Sequence, residues 1–197
     1  MSIGTWVLLA VAVLVLFWAV GAYNRLVRLK NAIANAFGQI DVQLKRRYDL
    51  IPTLVEVARK YLAHEAQTLE AVIAARNQAR SAEQTAAGAP LNAGALGALA
   101  GAEQVLGGAL GRLFAVAEAY PDLKADQTMR ELSEELSSTE NRIGFARQAY
   151  NDHVLEFNDA AAQFPTLVIA RLFGFQTLSM LESTSTEAER QPVRVTF

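Results

Sequence analysis

An uncharged apolar run leads without a break into an amphipathic stretch, and that junction limits the chain to few architectures. From Gly4 to Ala22 there is no charge, and from Trp6 to Val20 every residue is apolar. Roughly 20 such residues at 1.5 Å each span a ~30 Å hydrocarbon core. Trp6 and Trp18 lie toward the two ends and Tyr23 lies just past the second, where amphipathic rings favour the interface. Immediately afterwards Leu26, Ile33 and Ile40 fall seven residues apart, as do Phe37, Leu44 and Ile51. Two such lines make one stripe on a helix, and that stripe needs partner helices to cover it.

A cleavable signal peptide, with Val20-Gly21-Ala22 as its small-residue site, is the alternative reading of the apolar run. The first five residues carry no lysine or arginine, so the basic region of such a signal is missing. The run therefore reads as a retained anchor. Arg25, Arg28 and Lys30 follow it closely and no basic side chain precedes it, which predicts an outside N-terminus and a cytoplasmic remainder. The expected location is the bacterial inner membrane, crossed once, with membrane lipids as partners of the anchor.

At Asp49-Leu50-Ile51-Pro52 the backbone has to adjust, because proline lacks an amide donor and pushes Ile51 from helical angles. Asp49 suits an N-cap. The chain either turns back at Asp49 and Pro52, which then form a hinge, or one long helix kinks there. Lys45-Arg46-Arg47 reads as a solvated face rather than a headgroup contact, since three charges fall short of a polybasic cluster. Helical periodicity resumes through Leu54, Val55, Ala58, Leu62, Leu69 and Val72. The Ala/Gly/Ser-rich stretch 81–94 reads as a loop.

The next helix, 91–119, is unusual in carrying Gly94, Gly97, Gly101, Gly107, Gly108 and Gly111. Each interior glycine costs about 1 kcal/mol relative to alanine. The four-residue spacing of Gly97-Gly101 and Gly107-Gly111 would repay this where two backbones approach closely; a loosely specified helix is the alternative. Glu103 and Arg112 argue against a second membrane span. In the last long helix Met129, Leu136, Ile143, Tyr150, Phe157 and Phe164 repeat every seven residues, beside Leu132, Thr139, Ala146, His153 and Ala160. Glu131, Glu134, Glu135, Glu140 and Arg142 make its solvated outer face. Such a seam describes knobs in a bundle. Asn151 and Asn158 are expected to bond across helices and fix register.

After Pro165 the short apolar segment through Leu167, Leu172, Phe173 and Phe175 docks on the bundle end or lies in the membrane interface. The tail, 176–197, is expected to be mobile. It ends in an alternating hexapeptide that either adds a strand, through Val195 and Phe197, to a partner's sheet edge or is a frayed terminus.

Composition narrows the chemistry. Cysteine is absent, only His64 and His153 are present, and the net charge is −2. Disulfides and thiolate chemistry are excluded, no metal, cofactor or catalytic site is indicated, and no nucleic-acid surface is expected. His64-Glu65 begins a zinc-protease pattern that Thr68 fails to complete. A carboxylate enzyme using Asp41, Asp49 or Glu56 would need a concave site that nothing in the spacing indicates. The chain is therefore not expected to be an enzyme.

The run Tyr23-Asn24, then Gln39-Ile40-Asp41-Val42-Gln43-Leu44-Lys45-Arg46-Arg47, then Asp49-Leu50-Ile51-Pro52 and Leu54-Val55, resembles the LemA family of membrane-anchored bacterial helical proteins. Tyr150-Asn151, Phe157-Asn158 and the Pro192-Val193 ending are similar to it too. The likeness is strongest over 23–79 and 121–175 and weakest in the glycine-rich helix. It implies a four-helix bundle and a scaffold or partner role in envelope, membrane-remodelling or proteolytic systems, and it brings no catalytic residues.

The expected fold is all-α: an anchor over 1–23, an up-and-down bundle over 24–175 and a tail over 176–197. Four helices, about 24–48, 50–80, 91–119 and 127–163, are preferred over three with the first continuous through Pro52. The expected function is a self-associating membrane scaffold with membrane-protein partners. The rival is a signalling relay through the Pro52 hinge, or an adaptor for a membrane protease or transport system.

Overall fold

The computed structural model describes residues 2–181, so Val195 and Phe197 lie outside the described residues. Six helices follow in order: α1 (Ile3–Arg59), α2 (Ala66–Gly88), α3 (Ala93–Ala117), α4 (Pro121–Ala125), α5 (Gln127–Ala162) and α6 (Thr166–Leu172). No strand occurs among the described residues.

α1 is one helix of 57 residues, and it passes straight through Pro52. The preferred turn at Asp49–Pro52 is therefore corrected: the chain reverses later, over residues 60–65. A proline in a helix leaves the carbonyl four residues earlier without its donor. Here that carbonyl belongs to Tyr48, and Arg76 Nε of α2 donates to it at 3.0 Å. A neighbouring helix supplies what the proline removed, so nothing forces a break.

Helix ends follow local chemistry. Asn92 caps α3 by accepting the Ala95 amide at 2.9 Å, and Asp126 caps α5 by accepting the Met129 amide at 2.9 Å. The expected loop over 81–94 shrinks to residues 89–92, because α2 continues to Gly88 and buries Glu83 and Ala86. Alanine is the best helix former, and the alanines outweigh the small polar residues beside them.

Four helices run up and down, with consecutive ones antiparallel: α1, α2, α3 and α5. Both stripes of α1 are buried, as are Met129, Leu136, Ile143, Tyr150 and Phe157 of the α5 seam. Phe164 leaves that seam: it lies beyond the end of α5 and is 83% exposed. The helices are not of matched length. α2 and α3 have 23 and 25 residues against 36 in α5. The α2–α3 turn meets α5 at Tyr150, whose hydroxyl donates to the Pro90 carbonyl at 3.2 Å. Below that level α1 and α5 continue past α2 and α3 as a neck. α6 packs against both helices, with Ile169 and Ala170 buried, and the extended stretch 175–181 lies along α5. The apolar window of α1 beyond the neck is not buried by any of the described residues, and its length and hydropathy suffice to cross a membrane.

Candidate interaction surfaces

At the foot of the neck, Tyr23 stands where α1 leaves its apolar half. Its ring meets Phe173 at a centroid distance of 4.8 Å and Phe175 at 5.7 Å, and Phe175 reaches Phe157 of α5 at 6.2 Å. Leu172 and Phe173 are 74% and 58% exposed, Leu167 and Phe175 are half-buried, and Arg171 is exposed. Of the two placements expected for this segment, docking on the bundle is observed. Its exposed apolar side chains lie level with the end of the anchor, where amphipathic rings and long cations are favoured.

Gly174 follows with φ +70°, a conformation that a side chain would strain. The chain then runs extended along α5. Asn158 and Asn151 each bind one backbone residue of this stretch with both ends of the amide. Asn158 Nδ2 donates to the Leu178 carbonyl and Oδ1 accepts the Leu178 amide, both at 2.9 Å. Asn151 does the same with Leu181 at 2.7 and 2.8 Å. The asparagines thus hold a strand-like arm rather than bonding between helices, as the seam had suggested. The start of the tail, expected to be mobile, is tied down as far as Leu181.

The glycines of α3 do not support close packing within the chain. Gly97, Gly101, Gly107, Gly108 and Gly111 are exposed, and beyond its own helix backbone an added Cβ at any of them would meet no atom of the described residues within 4 Å. Leu96, Leu99, Leu106, Leu110 and Leu113 form the inward face, and the small residues look outward. α3 is a leucine-faced helix with a bare back.

The polar interior was missed by sequence reasoning. Of Lys45-Arg46-Arg47, the first two stay exposed as expected, each with an ion pair, and Arg47 departs by being buried. Arg46 meets Glu135 at 2.7 Å, and Arg47, only 7% exposed, binds Glu103 of α3 at 2.8 Å and Glu140 of α5 at 2.9 Å. Glu135 and Glu140 thus lie on the outer side of α5 as expected, but each carries an ion pair to α1. Tyr48 donates to the other oxygen of Glu103, and burial, followed by that carboxylate, pushes its phenol well above the usual range. Asp49 is exposed, with its carboxylate 3.9 Å from Arg76.

Between α1 and α2, Asp41 and Lys45 face Glu83. Lys45 is 2.6 Å from Asp41 and 3.6 Å from Glu83. Glu83 is 1% exposed, and both its carboxylate oxygens lack a hydrogen-bond partner among the described residues. Burial pushes its carboxyl up to about 7, and neighbouring Asp41 adds to the rise. Burial also raises Asp41, but its partners Glu83 and Lys45 outweigh that and hold it below the ordinary value. Glu83 lines a small cleft of about 130 Å³ with Lys45, Tyr48, Asp49, Arg80 and Gln84. Among the described residues, no cluster of three histidine or carboxylate groups is placed to hold a metal. A periodicity search registers such acids as interruptions of a stripe, and only the partners opposite give them meaning.

The family model for the LemA family matches residues 36–197, most of the chain. The chain belongs to the LemA family. Among curated proteins, this LemA chain is similar to the magnetosome protein MamQ of Magnetospirillum gryphiswaldense, 27% identical over 169 residues. It is also similar to the magnetosome proteins MamQ 1 and MamQ 2 of Paramagnetospirillum magneticum, each 26% identical over 172 residues. Each match takes in 78% of this chain and 62% of the relative, so the LemA chain spans about three-fifths of the relatives' length.

Proposed function

We propose that this LemA-family chain is a self-associating helical scaffold that organises a bacterial membrane or envelope structure, anchored once in the inner membrane with its bundle in the cytoplasm. The observation that carries this reading is the continuity of α1. One helix is both the apolar segment and the central rod of the bundle, so the bundle is rigidly coupled to the membrane. Arg25, Arg28 and Lys30, all on the bundle side of the apolar segment, favour the cytoplasmic placement. The likeness to magnetosome proteins supports work at an organised bacterial membrane.

Self-association draws support from surfaces that the chain leaves uncovered: the outward glycines of α3 and exposed Phe145, Leu172 and Phe173. Membrane lipids at the anchor and α6, and other membrane proteins, are the partners this surface suits.

Because the chain has no cysteine, single-cysteine variants test the arrangement directly. An impermeable maleimide applied to intact spheroplasts should label Ser2→Cys and spare Glu118→Cys until the cells are opened. Labelling of position 118 from outside would reverse the orientation. Sedimentation of the detergent-solubilised chain should give species larger than a monomer, and a strict monomer would remove the scaffold reading.

A further inference from the structure

The apolar part of α1 has no length to spare. From Gly4 to Ala22 it offers about 28 Å of helix at 1.5 Å per residue, against a hydrocarbon core of ~30 Å, and the first charged side chain is Arg25. A crossing therefore takes the helix in as far as Ala22. Cover begins within that length. Every residue from Ile3 to Trp18 is exposed, Ala19 is half-buried and Ala22 is buried. The helix packed at that end of α1 is α6, and Phe173 just after it meets the Tyr23 ring. α6 is fixed there, because Ile169 and Ala170 are buried and the Phe175 amide donates to the Ala170 carbonyl at 2.9 Å. Its other side is apolar and bare: Phe164, Val168 and Leu172, spaced as one helical stripe, are 83%, 55% and 74% exposed. Arg171 is the only charged residue between Asp159 and Glu182, and its long stem lets the guanidinium reach headgroups from an apolar setting.

We propose that α6 is a second membrane-inserted element, lying in the headgroup–acyl boundary of the leaflet on the bundle side with Val168 and Leu172 toward the acyl chains. This rests on the membrane-anchor reading above and extends it from one point of contact to two. The depth of α1 decides it: whatever covers Ala19 and Ala22 lies as deep as they do. Docking on the bundle and immersion are then one placement. Lipid suits this surface better than a second copy of it does. A like face would set Arg171 toward Arg171, whereas a headgroup phosphate offers the opposite charge. A single helix leaves the lean of the bundle open, and an immersed element on one flank of α1 sets it. Leu172 and Phe173 are thereby assigned to lipid, which leaves the outward glycines of α3 and Phe145 for self-association.

The test uses the full-length chain, which has no cysteine of its own, in vesicles of phosphatidylcholine and phosphatidylglycerol, with a nitroxide on one introduced cysteine at a time. Val168→Cys and Leu172→Cys report on α6. Phe17→Cys in the anchor and Phe145→Cys on α5, 73% and 72% exposed, are the lipid and water references. Relaxation by oxygen, which concentrates in the bilayer, is compared with relaxation by a water-soluble nickel chelate. At 168 and 172 oxygen should prevail as it does at 17, with a depth of about 5–10 Å into the boundary, and at 145 nickel should prevail. Nickel prevailing at 168 and 172, with oxygen at 17, would put α6 in water: the anchor stands and the second insertion is lost. Little relaxation by either agent at 168 and 172 would show protein covering the face and would equally overturn the lipid assignment. Nickel prevailing at 17 as well would remove the anchor together with it. Because the substituted positions are exposed and the buried Ile169 and Ala170 are untouched, the readings refer to the docked helix.

Discussion

The α1–α5 pair and the α2–α3 hairpin solve the same packing problem differently. α1 and α5 meet through large side chains: Leu26, Ile33, Phe37, Ile40, Leu44 and Ile51 against Leu136, Ile143, Tyr150 and Phe157, with Phe37 edge-on to Tyr150 at 6.3 Å. Knobs of that size define their own register. α2 buries Leu69 and Val72 near its start, but from there on its apolar face is Ala75, Ala79 and Ala86, a nearly smooth one. A smooth face specifies little by shape, and there the polar ties converge: Arg76 on the Tyr48 carbonyl, Lys45 near Glu83, and Arg47 with Tyr48 on Glu103. All of them reach residues 41–48 of α1, so one short window pins the hairpin. Where side chains are too small to interlock, buried polar pairs discriminate one register from the next.

The largest effect should come from cutting the tie that joins both halves. Arg47→Met leaves Glu103 buried beside Tyr48 without its cation, and unfolding in denaturant should show a loss of about 3–5 kcal/mol. A loss under about 1 kcal/mol would show that the hairpin is held by its alanines and leucines alone.

Arg76→Met should cost about 1–3 kcal/mol, because the Tyr48 carbonyl is then buried without a donor. Pro52→Ala restores the helical amide to that carbonyl, so the Arg76 substitution should cost markedly less in the Pro52→Ala background. Additive losses in this double-mutant cycle would separate the proline from the arginine.

Glu83→Gln probes the strained side of the hairpin through pH. The folded chain raises Glu83 from the ordinary 4.5 to about 7, so burial favours its protonated form. Its penalty is absent below about 4.5, grows as pH rises and is complete above about 7. The amide variant should therefore be more stable at pH 8 by up to about 3 kcal/mol and indistinguishable near pH 4.5. Asp41, held below its ordinary value, runs the other way and loses its contribution only on strong acidification. A pH-independent difference would show that Glu83 does not carry the titration.

The smallest effect belongs to the bare back of α3. Gly107→Ala should raise thermal stability by about 1 kcal/mol, since the new methyl meets open space. A loss at that position would mean that the face is covered in the assembled protein.

Where the stripe residues are large, fold and sequence agree closely: the seven-residue lines of α1 and α5, Phe164 excepted, are the core. The Pro52 turn and the loop over 81–94 departed from expectation, and the glycines find no close neighbour among the described residues, for one shared reason. Each depended on a group far away in sequence, or on the absence of one. Arg76 rescues the proline, the bundle buries Glu83 and Ala86, and nothing approaches the glycines. For the interaction surfaces, the α6 segment was visible as an apolar run. The asparagine clamp was not, because Asn151 and Asn158 become a site only once an arm 20 to 30 residues downstream lies across them.

The order of apolar and polar residues alone determined that this chain is helical, amphipathic beyond residue 23 and apolar enough before it to enter a bilayer. Periodicity is a local property, and burial of large side chains follows from it directly. Tertiary structure decided which carbonyl Arg76 would satisfy, which acids would be enclosed and where the arm would lie. Those outcomes rest on single hydrogen bonds and charge pairs, whose energies depend on a partner's exact place and not on any repeat in the chain.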